Sequence, residues 1–298
     1  MKKHISRKQF DVLEQYACLN IKPSAIELAS STGYSLNSIN LTLDKLLKLG
    51  YIDENGITQA GLDILENYRV KRAVFIAAGF GSRLVPITLN TPKPLVRVKG
   101  KRIIDSLIDA VLAAGIEEIV IVRGYLKEQF DQLLYKYPMI KFIDNNLFNE
   151  ANNVSSSLLA KDLLSNSYVF EADLLLYNPN IIKKYQYTSN FLGIKKEKSD
   201  DWCFETENKI IVREKIGGKN CYQMVGISYW NEQDGKKLSK HIPEAFYAPG
   251  GKELYWEQVP LVIFKDEYKV EVRECLQDDI IEIDTFNELK ALDKSYDV

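Results

Sequence analysis

Hydrophobic and polar positions in the first 68 residues follow the pattern of short amphipathic helices. Phe10, Leu13 and Ala17 recur at spacings that place them on one face of a first helix. The hydroxyl of Ser35 suits the N-cap of a later helix. The pattern predicts helices over residues 6–19, 23–32, 35–49 and 59–68, with two short strands around an Asn-Gly turn within residues 51–58. We therefore expect a small, mostly helical domain over residues 1–68.

From residue 69 onward, short apolar runs alternate with amphipathic segments. The pattern predicts strands over residues 72–78, 119–122, 141–143 and 168–173, and helices over residues 103–114, 127–136 and 154–164. Strands that alternate with helices indicate an α/β domain, here over residues 69–298, with a mostly parallel sheet covered on both faces. Such sheets bind ligands at the carboxyl ends of their strands. The loop after the first strand and Asp173 in the fourth lie at such ends.

The composition excludes several classes of protein. Of the 298 residues, 46% are hydrophobic, which rules out a mainly disordered chain, and no apolar run approaches the roughly 18 residues of a membrane-spanning helix. The 39 basic and 41 acidic residues give a net charge of −2, without the basic excess of a strong nucleic-acid binder. Four scattered cysteines and two histidines indicate neither a zinc site nor a disulfide framework. With no secretory signal pattern in the first residues, we expect a cytoplasmic protein.

The loop Gly79-Phe80-Gly81-Ser82-Arg83 has the chemistry of a phosphate site. It is not a dinucleotide-binding fingerprint, because Leu84 occupies the third glycine position, and it is not a P-loop, because no Gly-Lys-Ser/Thr follows. Its glycines let the backbone approach a ligand closely, and its amides can cradle phosphate oxygens. Arg83 adds a planar fork of donors, and Lys93 follows ten residues later between two prolines. Together these features predict phosphate binding.

The segment that contains this loop, AAGFGSRLVPITLNTPKPLVRV, resembles the signature of nucleotidyltransferases that activate sugar phosphates and related small phosphates. The segments NNVSSSLLAKDLLSNSYVFEAD, ELYWEQV and IIEIDTFNELKAL are similar to bacterial CTP:phosphocholine cytidylyltransferases of the LicC type, from about Val70 to Leu292. The resemblance implies a Rossmann-like nucleotidyltransferase domain. It also implies that CMP passes from CTP to phosphocholine, giving CDP-choline and pyrophosphate, by in-line attack on the α-phosphate without a covalent enzyme intermediate.

The resemblance also assigns roles to residues. Arg83 and Lys93 would be catalytic and neutralise the phosphates, while Asp173 and Asp284 would hold Mg²⁺, the implied cofactor. The implied nucleotide-binding residues are Ala77, Ala78, Gly79, Gly81, Ser82, Arg83, Gly124, Tyr125, Asn153 and Ser156. The structural alternatives are a strand-end cap for Asp173, a helix N-cap for Asp284, an Asx turn for Asn153, simple packing for Tyr125, and plain surface charges for Arg83 and Lys93.

Aromatic residues are expected around the choline group, because a quaternary ammonium donates no hydrogen bond and binds well to aromatic faces. The resemblance places Trp202 and Trp256 in this pocket, with Tyr255 beside the second. Tyr255 is the less favoured of the three, since neighbouring residues of a strand face opposite ways. The alternative is that these rings are core or interface anchors. Charge attraction could come from nearby acidic residues, namely Asp200, Asp201 or Glu257.

Two other acceptors remain alternatives to phosphocholine. Related cytidylyltransferases act on 2-aminoethylphosphonate, whose primary amine favours carboxylates over an aromatic box. The aromatic residues of this chain favour phosphocholine over that acceptor. A hexose 1-phosphate is a third possible acceptor. Both the aromatic residues and the short length of the catalytic part disfavour it.

The amino-terminal residues raise an alternative of another class. The segment LLKLGYIDENGITQAG resembles the end of the recognition helix, the wing and the next helix of winged helix-turn-helix domains. A transcription regulator that senses CTP or choline compounds is therefore the rival interpretation. DNA binding is less favoured than docking or homo-oligomer formation through this domain, because the expected outer face of its third helix lacks Arg and Lys. That face carries Ser35, Asn37, Ser38, Asn40 and Thr42.

Overall fold

The computed structural model of the protein describes residues 4–19 and 22–297. The chain divides into two compact units. The first comprises Met1–Arg69 together with Tyr185–Tyr187, and the second comprises Val70–Lys184 and Thr188–Val298. All residues predicted for the phosphate, metal and choline sites lie in the second unit.

The first unit contains the four helices that the hydrophobic pattern predicts. The Ser24 hydroxyl accepts a hydrogen bond from the Glu27 amide, and the Ser35 hydroxyl accepts one from the Ser38 amide, so two helices begin at capped positions. Gly33 ends the second helix in the left-handed conformation, with φ 73°. The helices are α1 (Arg7–Leu19), α2 (Ala25–Thr32), α3 (Leu36–Lys48) and α4 (Gln59–Leu65), and a 3₁₀ turn (Glu66–Tyr68) follows the last.

The predicted hairpin between α3 and α4 is shorter than expected. One antiparallel bridge joins Ile52 to Ile57, and the Asp53 amide donates to the Gly56 carbonyl. The Asp53 carboxylate accepts hydrogen bonds from the amides of Asn55 and Gly56 and so closes the turn. The winged-helix interpretation of this unit remains a prediction.

Aromatic side chains from a distant part of the chain complete the core of the first unit. The ring of Tyr187 stacks on Tyr68, with 5.4 Å between the centroids, and also packs against Phe10. The Tyr185 hydroxyl donates a hydrogen bond to a Glu66 carboxylate oxygen at 2.9 Å. The hydrophobic pattern did not indicate this contribution, because it joins segments that are far apart in the chain.

The second unit is built on a mostly parallel sheet. Its strands are β1 (Arg72–Ala77), β2 (Arg97–Val98), β3 (Lys101–Arg102), β4 (Glu118–Arg123), β5 (Lys141–Asp144), β6 (Ser167–Glu171), β7 (Leu174–Leu176), β8 (Asn190–Glu207), β9 (Ile210–Trp230), β10 (Glu271–Cys275) and β11 (Ile280–Glu282). Seven of them form one sheet in the order β10-β8-β9-β6-β1-β4-β5. The pairs that join β1 to β4 and β6, β4 to β5, and β8 to β10 are parallel. This confirms the predicted α/β fold.

Helices and tighter turns cover the sheet. The α-helices of this unit are α5 (Ile103–Ala113), α6 (Val154–Ala160), α7 (Glu232–Tyr247) and α8 (Phe286–Leu292). The segment predicted as a helix over residues 127–136 forms a 3₁₀ helix instead, Lys127–Tyr135. The helix predicted over residues 154–164 leaves the α conformation after Ala160 and continues as a 3₁₀ turn, Lys161–Leu163.

Burial on both faces of the sheet explains the continuous apolar run of β1. Ala73 and Phe75 belong to the hydrophobic cluster on one face, and Val74 and Ile76 belong to the cluster on the other. In the parallel ladder Ile76 lies beside Glu171, the last residue of β6. The chain therefore leaves β1 and β6 at the same edge of the sheet, where the site residues gather.

A small second sheet brings a third segment to this edge. Leu174 of β7 pairs with Glu282 of β11 in an antiparallel ladder. One residue further, the Ile283 amide donates to the Asp173 carbonyl at 3.3 Å. Two acidic segments, far apart in sequence, therefore lie side by side.

Candidate active site

A cavity of about 630 Å³ opens at the edge where β1 and β6 end. Its lining comes from the loop after β1, the segments around Lys93 and Asp173, strands β8 and β9, and the segments around Glu257 and Glu282. The lining residues are Ile76, Ala77, Gly79, Gly81, Ser82, Arg83, Lys93, Pro94, Asn152, Asn153, Glu171, Ala172, Asp173, Asp201, Trp202, Met224, Gly226, Tyr255, Glu257, Glu282 and Asp284.

The loop after β1 is folded tightly against Lys93. Gly81 has a left-handed backbone, with φ 68°, and a Cβ atom on it would lie 3.0 Å from the Lys93 Cβ. The Gly81 carbonyl accepts a hydrogen bond from the Thr88 hydroxyl at 2.9 Å. Both the conformation and the close approach favour glycine at this position. The loop is therefore held beside the lysine that the sequence predicts as catalytic.

Two basic side chains meet two carboxylates at this edge. Lys93 Nζ lies 2.8 Å from Asp173 Oδ2 and 3.2 Å from Asp284 Oδ1. Arg83 Nη2 lies 2.6 Å from the same oxygen of Asp284. Burial lowers the pKa of Lys93, but Asp173 and Asp284 outweigh it, so this pKa lies above its ordinary value. The structure thus gathers the four predicted catalytic and metal residues, with the lysine held in its charged form.

Three carboxylates next to this cluster have the composition of a metal site. Glu171, Asp173 and Glu282 each offer an oxygen within 4.8 Å of the others, and Asp173 Oδ1 is buried without a hydrogen-bond partner in the described residues. Burial, followed by the charges of Glu257 and Asp173, holds the pKa of Glu171 well above its usual range. Burial and the neighbouring carboxylates also raise the pKa of Glu282, to about 10. A divalent cation would relieve this repulsion, so the three oxygen donors fit Mg²⁺.

Asp284 is not one of these three carboxylates, although it shares the Lys93 ammonium with Asp173. Its side chain is engaged by Lys93 and Arg83, whereas the sequence predicts it as a metal ligand beside Asp173. The helix-cap alternative for Asp284 is wrong, because the Thr285 hydroxyl accepts the hydrogen bond from the Glu288 amide at the start of α8. The Asp284 carboxylate therefore faces Lys93 and Arg83, and its role as a metal ligand remains a prediction.

Trp202 and Tyr255 form the aromatic part of the cavity lining. Their rings meet edge to face, with 5.7 Å between the centroids. Trp256 is only 2% exposed, and its ring packs against Phe191 and Trp230 in the core. The prediction that Trp256 lines the choline pocket is therefore wrong. The chain turns so that Trp256 faces the core while Tyr255, the less favoured candidate, faces the cavity.

Asn153 lines the cavity, at the position that the resemblance implies. Its Oδ1 accepts a hydrogen bond from the Trp256 amide at 2.8 Å, and its side chain makes no hydrogen bond at the start of α6. The Asx-turn alternative is therefore wrong. Asn152, the preceding residue, donates through Nδ2 to the Glu253 carbonyl at 3.2 Å. These two asparagines fix the segment that carries Tyr255.

A buried carboxylate lies beside the aromatic pair. Glu257 lines the cavity, is 2% exposed, and its Oε2 has no hydrogen-bond partner in the described part of the chain. Burial, followed by the charge of Glu214, raises the pKa of Glu257 to about 8. Asp201 also lines the cavity. The aromatic end of the cavity therefore combines ring faces with acidic groups, a combination that suits a cation.

Four predicted nucleotide-binding residues do not reach the cavity lining. Ser156 is 1% exposed and hydrogen-bonded within the core, so its prediction as a nucleotide ligand is wrong. The Ala78 carbonyl accepts a hydrogen bond from the Tyr125 amide at 3.0 Å, and a Cβ on Gly124 would lie 2.9 Å from the same carbonyl. The Tyr125 ring packs edge to face against Phe80. Ala78, Gly124 and Tyr125 therefore support the base of the loop rather than line the cavity.

The sequence reasoning missed Glu171 and Glu282 as candidate ligands. Each precedes a predicted metal residue by two positions, in the triplets Glu-Ala-Asp and Glu-Ile-Asp that end at Asp173 and Asp284. Side chains two positions apart on an extended chain point to the same side. The repeated spacing was therefore a signal that could have identified both glutamates.

Known proteins with similar sequences indicate the family to which this chain belongs. Residues 72–208 match the model of the nucleotidyl transferase family. A 2-aminoethylphosphonate cytidylyltransferase of Lancefieldella rimae is 35% identical over 234 residues, which cover 77% of this chain and 95% of that protein. The chain belongs to the nucleotidyl transferase family. A choline-phosphate cytidylyltransferase of Streptococcus pneumoniae is 32% identical over 225 residues, covering 75% of this chain and 97% of that protein.

Within the nucleotidyl transferase family, a solved structure extends the likeness to the fold. The CTP:phosphocholine cytidylyltransferase of Streptococcus pneumoniae matches with a TM-score of 0.70 at 32% identity, over 76% of this chain and 99% of that one. The chain is thus a nucleotidyltransferase of the cytidylyltransferase group, as the resemblance implies. The restriction to phosphocholine is narrower than the comparisons support, since the 2-aminoethylphosphonate enzyme is at least as similar. Among the described residues, no helix is both long and apolar enough to cross a bilayer.

Proposed function

We propose that this protein transfers CMP from CTP to phosphocholine, forming CDP-choline and pyrophosphate. The observation that carries the proposal is a single cavity with two chemically different parts. One part holds Lys93 and Arg83 beside acidic residues, and the other holds Trp202, Tyr255 and the buried Glu257. The first part suits phosphates, and the second suits a cationic group.

The proposed reaction needs positioning and charge neutralisation rather than a covalent intermediate. A phosphate oxygen of phosphocholine attacks the α-phosphorus of CTP, the bond to the bridging oxygen breaks, and pyrophosphate leaves. Lys93 and Arg83 donate hydrogen bonds to phosphate oxygens, on which negative charge is concentrated. Amides of the loop at Gly79 and Gly81 can add further donors. Asp284 keeps the two basic groups together before substrate arrives.

Mg²⁺ is the cofactor that we propose for this reaction. Asp173, Glu171 and Glu282 would hold it, and Asp284 remains a further candidate ligand. When bound, the ion would neutralise part of the charge on the triphosphate. The protein's own contribution is to set these carboxylates beside Lys93 at the edge where β1 and β6 end.

The cationic end of phosphocholine would lie against Trp202 and Tyr255. Ring faces attract a quaternary ammonium through their quadrupole, and this attraction strengthens where water is excluded. The Glu257 carboxyl is shielded from solvent, and a bound cation would favour its ionised form, which burial disfavours in the empty cavity. We expect these three residues to govern the affinity for the acceptor, with little effect on the affinity for CTP.

A second acceptor, 2-aminoethylphosphonate, is favoured by one specific observation. Glu257 Oε2 lacks a hydrogen-bond partner in the described residues, and a primary ammonium can donate a hydrogen bond to it whereas choline cannot. The relative from Lancefieldella rimae bears the name of that activity. The reaction at the α-phosphorus would be the same for both acceptors.

The test is pyrophosphate release by the purified protein with Mg²⁺ and CTP. Phosphocholine, 2-aminoethylphosphonate, phosphoethanolamine and glucose 1-phosphate are compared as acceptors, and UTP and ATP replace CTP as controls. Fast release with CTP and phosphocholine alone would support the proposal. Preference for 2-aminoethylphosphonate would replace the acceptor, and release with glucose 1-phosphate alone would overturn the cationic-pocket argument.

For the first unit we propose docking or oligomer formation rather than DNA binding. The exposed positions of α3 include Leu36, Leu41 and Leu47, which are unsuited to reading base edges. A gel shift at physiological salt with promoter fragments is the check. Tight, sequence-selective binding would restore the regulator interpretation.

A further inference from the structure

The Glu171 side chain lies across the backbone of Gly226 on the neighbouring strand. Phe170 of β6 pairs with Ile227 of β9, which sets the next residue of each strand opposite the other. A Cβ atom on Gly226 would lie 2.5 Å from Glu171 Oε2, 2.7 Å from its Cβ and 2.8 Å from its Cγ. These distances are well below ordinary van der Waals contact. The glutamate therefore occupies the space that any side chain at position 226 would need.

The conformation of β9 does not require glycine at this position. Gly226 lies inside the strand, and its backbone is not left-handed, unlike that of Gly81. A glycine inside a strand weakens it, because it contributes no side chain and loses much backbone freedom on folding. Such a glycine often marks the close approach of another group. Here the group that approaches is the side chain of Glu171.

The segments that carry the other two carboxylates of the metal cluster are held by backbone hydrogen bonds. Glu282 lies in the β7–β11 ladder, and the Asp173 carbonyl accepts a hydrogen bond from the Ile283 amide at 3.3 Å. The Glu171 carboxylate, in contrast, has no hydrogen-bond partner among the described residues. Its place within 4.8 Å of the other two carboxylates therefore depends on packing, and the Gly226 backbone is part of the surface it packs on.

We propose that Gly226 is a positioning residue for the metal site, because its bare backbone lets the Glu171 carboxylate lie beside Asp173 and Glu282. The inference deepens the proposed function and rests on it, since Mg²⁺ is the cofactor proposed there for these three carboxylates. Gly226 itself offers the ion no side-chain donor. A methyl group at position 226 would displace the Glu171 side chain from its Cβ to its carboxylate, and the cation would lose one of three oxygen donors.

The test measures Mn²⁺ binding by the purified full-length chain without CTP or acceptor. Mn²⁺ replaces Mg²⁺ because both ions prefer carboxylate oxygens, and the electron paramagnetic resonance signal of the free ion gives its concentration. We expect Gly226→Ala to raise the Kd for Mn²⁺ by about 10–100-fold, the typical cost of losing a residue that orients a metal ligand. Glu171→Gln should raise this Kd at least as much.

A double substitution separates positioning from general damage to the cavity. If Gly226 acts through Glu171, adding Gly226→Ala to Glu171→Gln leaves the Kd for Mn²⁺ unchanged, whereas independent effects would multiply. Gly193→Ala on β8 is the matched control, because its Cβ would lie 2.8 Å from Val272 Cγ2 and Gly193 is absent from the cavity lining. We expect Gly193→Ala to bind Mn²⁺ as the wild type does. Circular dichroism checks the fold of each variant.

The outcomes distinguish this inference from the proposed function. An unchanged Kd for Mn²⁺ in folded Gly226→Ala, or a further rise in the double variant, would overturn the inference alone. If Gly226→Ala does not fold, Glu171→Gln decides, since it keeps the shape of the side chain: a raised Kd supports the inference and an unchanged one overturns it. A wild type that binds no Mn²⁺ would overturn the metal site and the inference with it. Absence of pyrophosphate release with every acceptor, while Mn²⁺ still binds, would instead overturn the proposed reaction.

Discussion

The substitution Glu214→Gln should change how the stability of the unliganded protein depends on pH. The carboxyl of Glu214 has an ordinary pKa of 4.5 and a pKa of about 7 in the folded protein, because burial disfavours its charge. In the unfolded chain the proton leaves near the ordinary value, whereas in the folded protein it stays until about pH 7. Between these values the unfolded state binds fewer protons, so stability falls as pH rises. Below the lower value this contribution is fully present, and above the higher value it is lost.

The magnitude follows from the difference between the two pKa values. Each pKa unit corresponds to about 1.4 kcal/mol, so the wild type should lose about 3 kcal/mol through this group between pH 4.5 and 7. A glutamine cannot ionise and keeps the size of the side chain, so Glu214→Gln removes this loss. It also removes the charge that contributes to the raised pKa of Glu257, which acts in the same direction.

Urea unfolding without ligands, at pH 5 and at pH 8, measures the effect. All three tryptophans lie in the second unit, so their fluorescence follows the unit that contains Glu214. We expect the free energy of unfolding of the variant to gain about 3 kcal/mol over the wild type between the two pH values. For Glu207→Gln, a substitution at an exposed position, the free energy of unfolding should change with pH as it does in the wild type. A difference between Glu214→Gln and the wild type that is the same at both pH values would refute the reasoning.

Three further substitutions test the site. Lys93→Ala should lower kcat by about 10²–10³-fold, because it removes a buried charge beside Asp173, and a near-normal kcat in a folded variant by circular dichroism would contradict its role. Trp202→Ala should raise KM for phosphocholine about tenfold with little change for CTP, and equal effects on both substrates would remove its place in the cation pocket. Gly81→Ala should lower the free energy of unfolding by about 1–2 kcal/mol in chemical denaturation, because φ is positive there, and an unchanged midpoint would contradict this.

The end of the cavity that holds Lys93 and Arg83 could be predicted from the sequence, because its parts are local and follow strand ends. The loop at Gly79 and Gly81 comes directly after a continuous apolar run, and the register of β1 against β6 then sets Asp173 beside it. Parallel pairing of strands separated by helices is the expected outcome of such a pattern. Lys93 was identified by its place between two prolines and by the resemblance rather than by any periodicity.

The aromatic end of the cavity could be predicted only in part. Trp256 and Tyr255 are neighbours, and composition alone does not decide which ring faces the core, because a local turn decides it. No sequence pattern predicted the burial of Glu214, because this burial depends on how the long β8–β9 hairpin packs against the segment around Glu257. The contribution of residues 185–187 to the first unit likewise depends on contacts between distant segments. Local patterns do not contain such information.

The tyrosines at positions 185 and 187 limit how this protein can be dissected. A fragment that stops at Arg69 would lack the ring that stacks on Tyr68 and the hydroxyl that bonds Glu66. A fragment that begins at Val70 would instead keep both tyrosines and lose the side chains they pack against. A cut between Arg69 and Val70 therefore does not give two fragments that each have a complete core. The amino-terminal unit therefore cannot be exchanged by a single cut in the chain. Its transfer to a shorter relative would also require the transfer of residues 185–187.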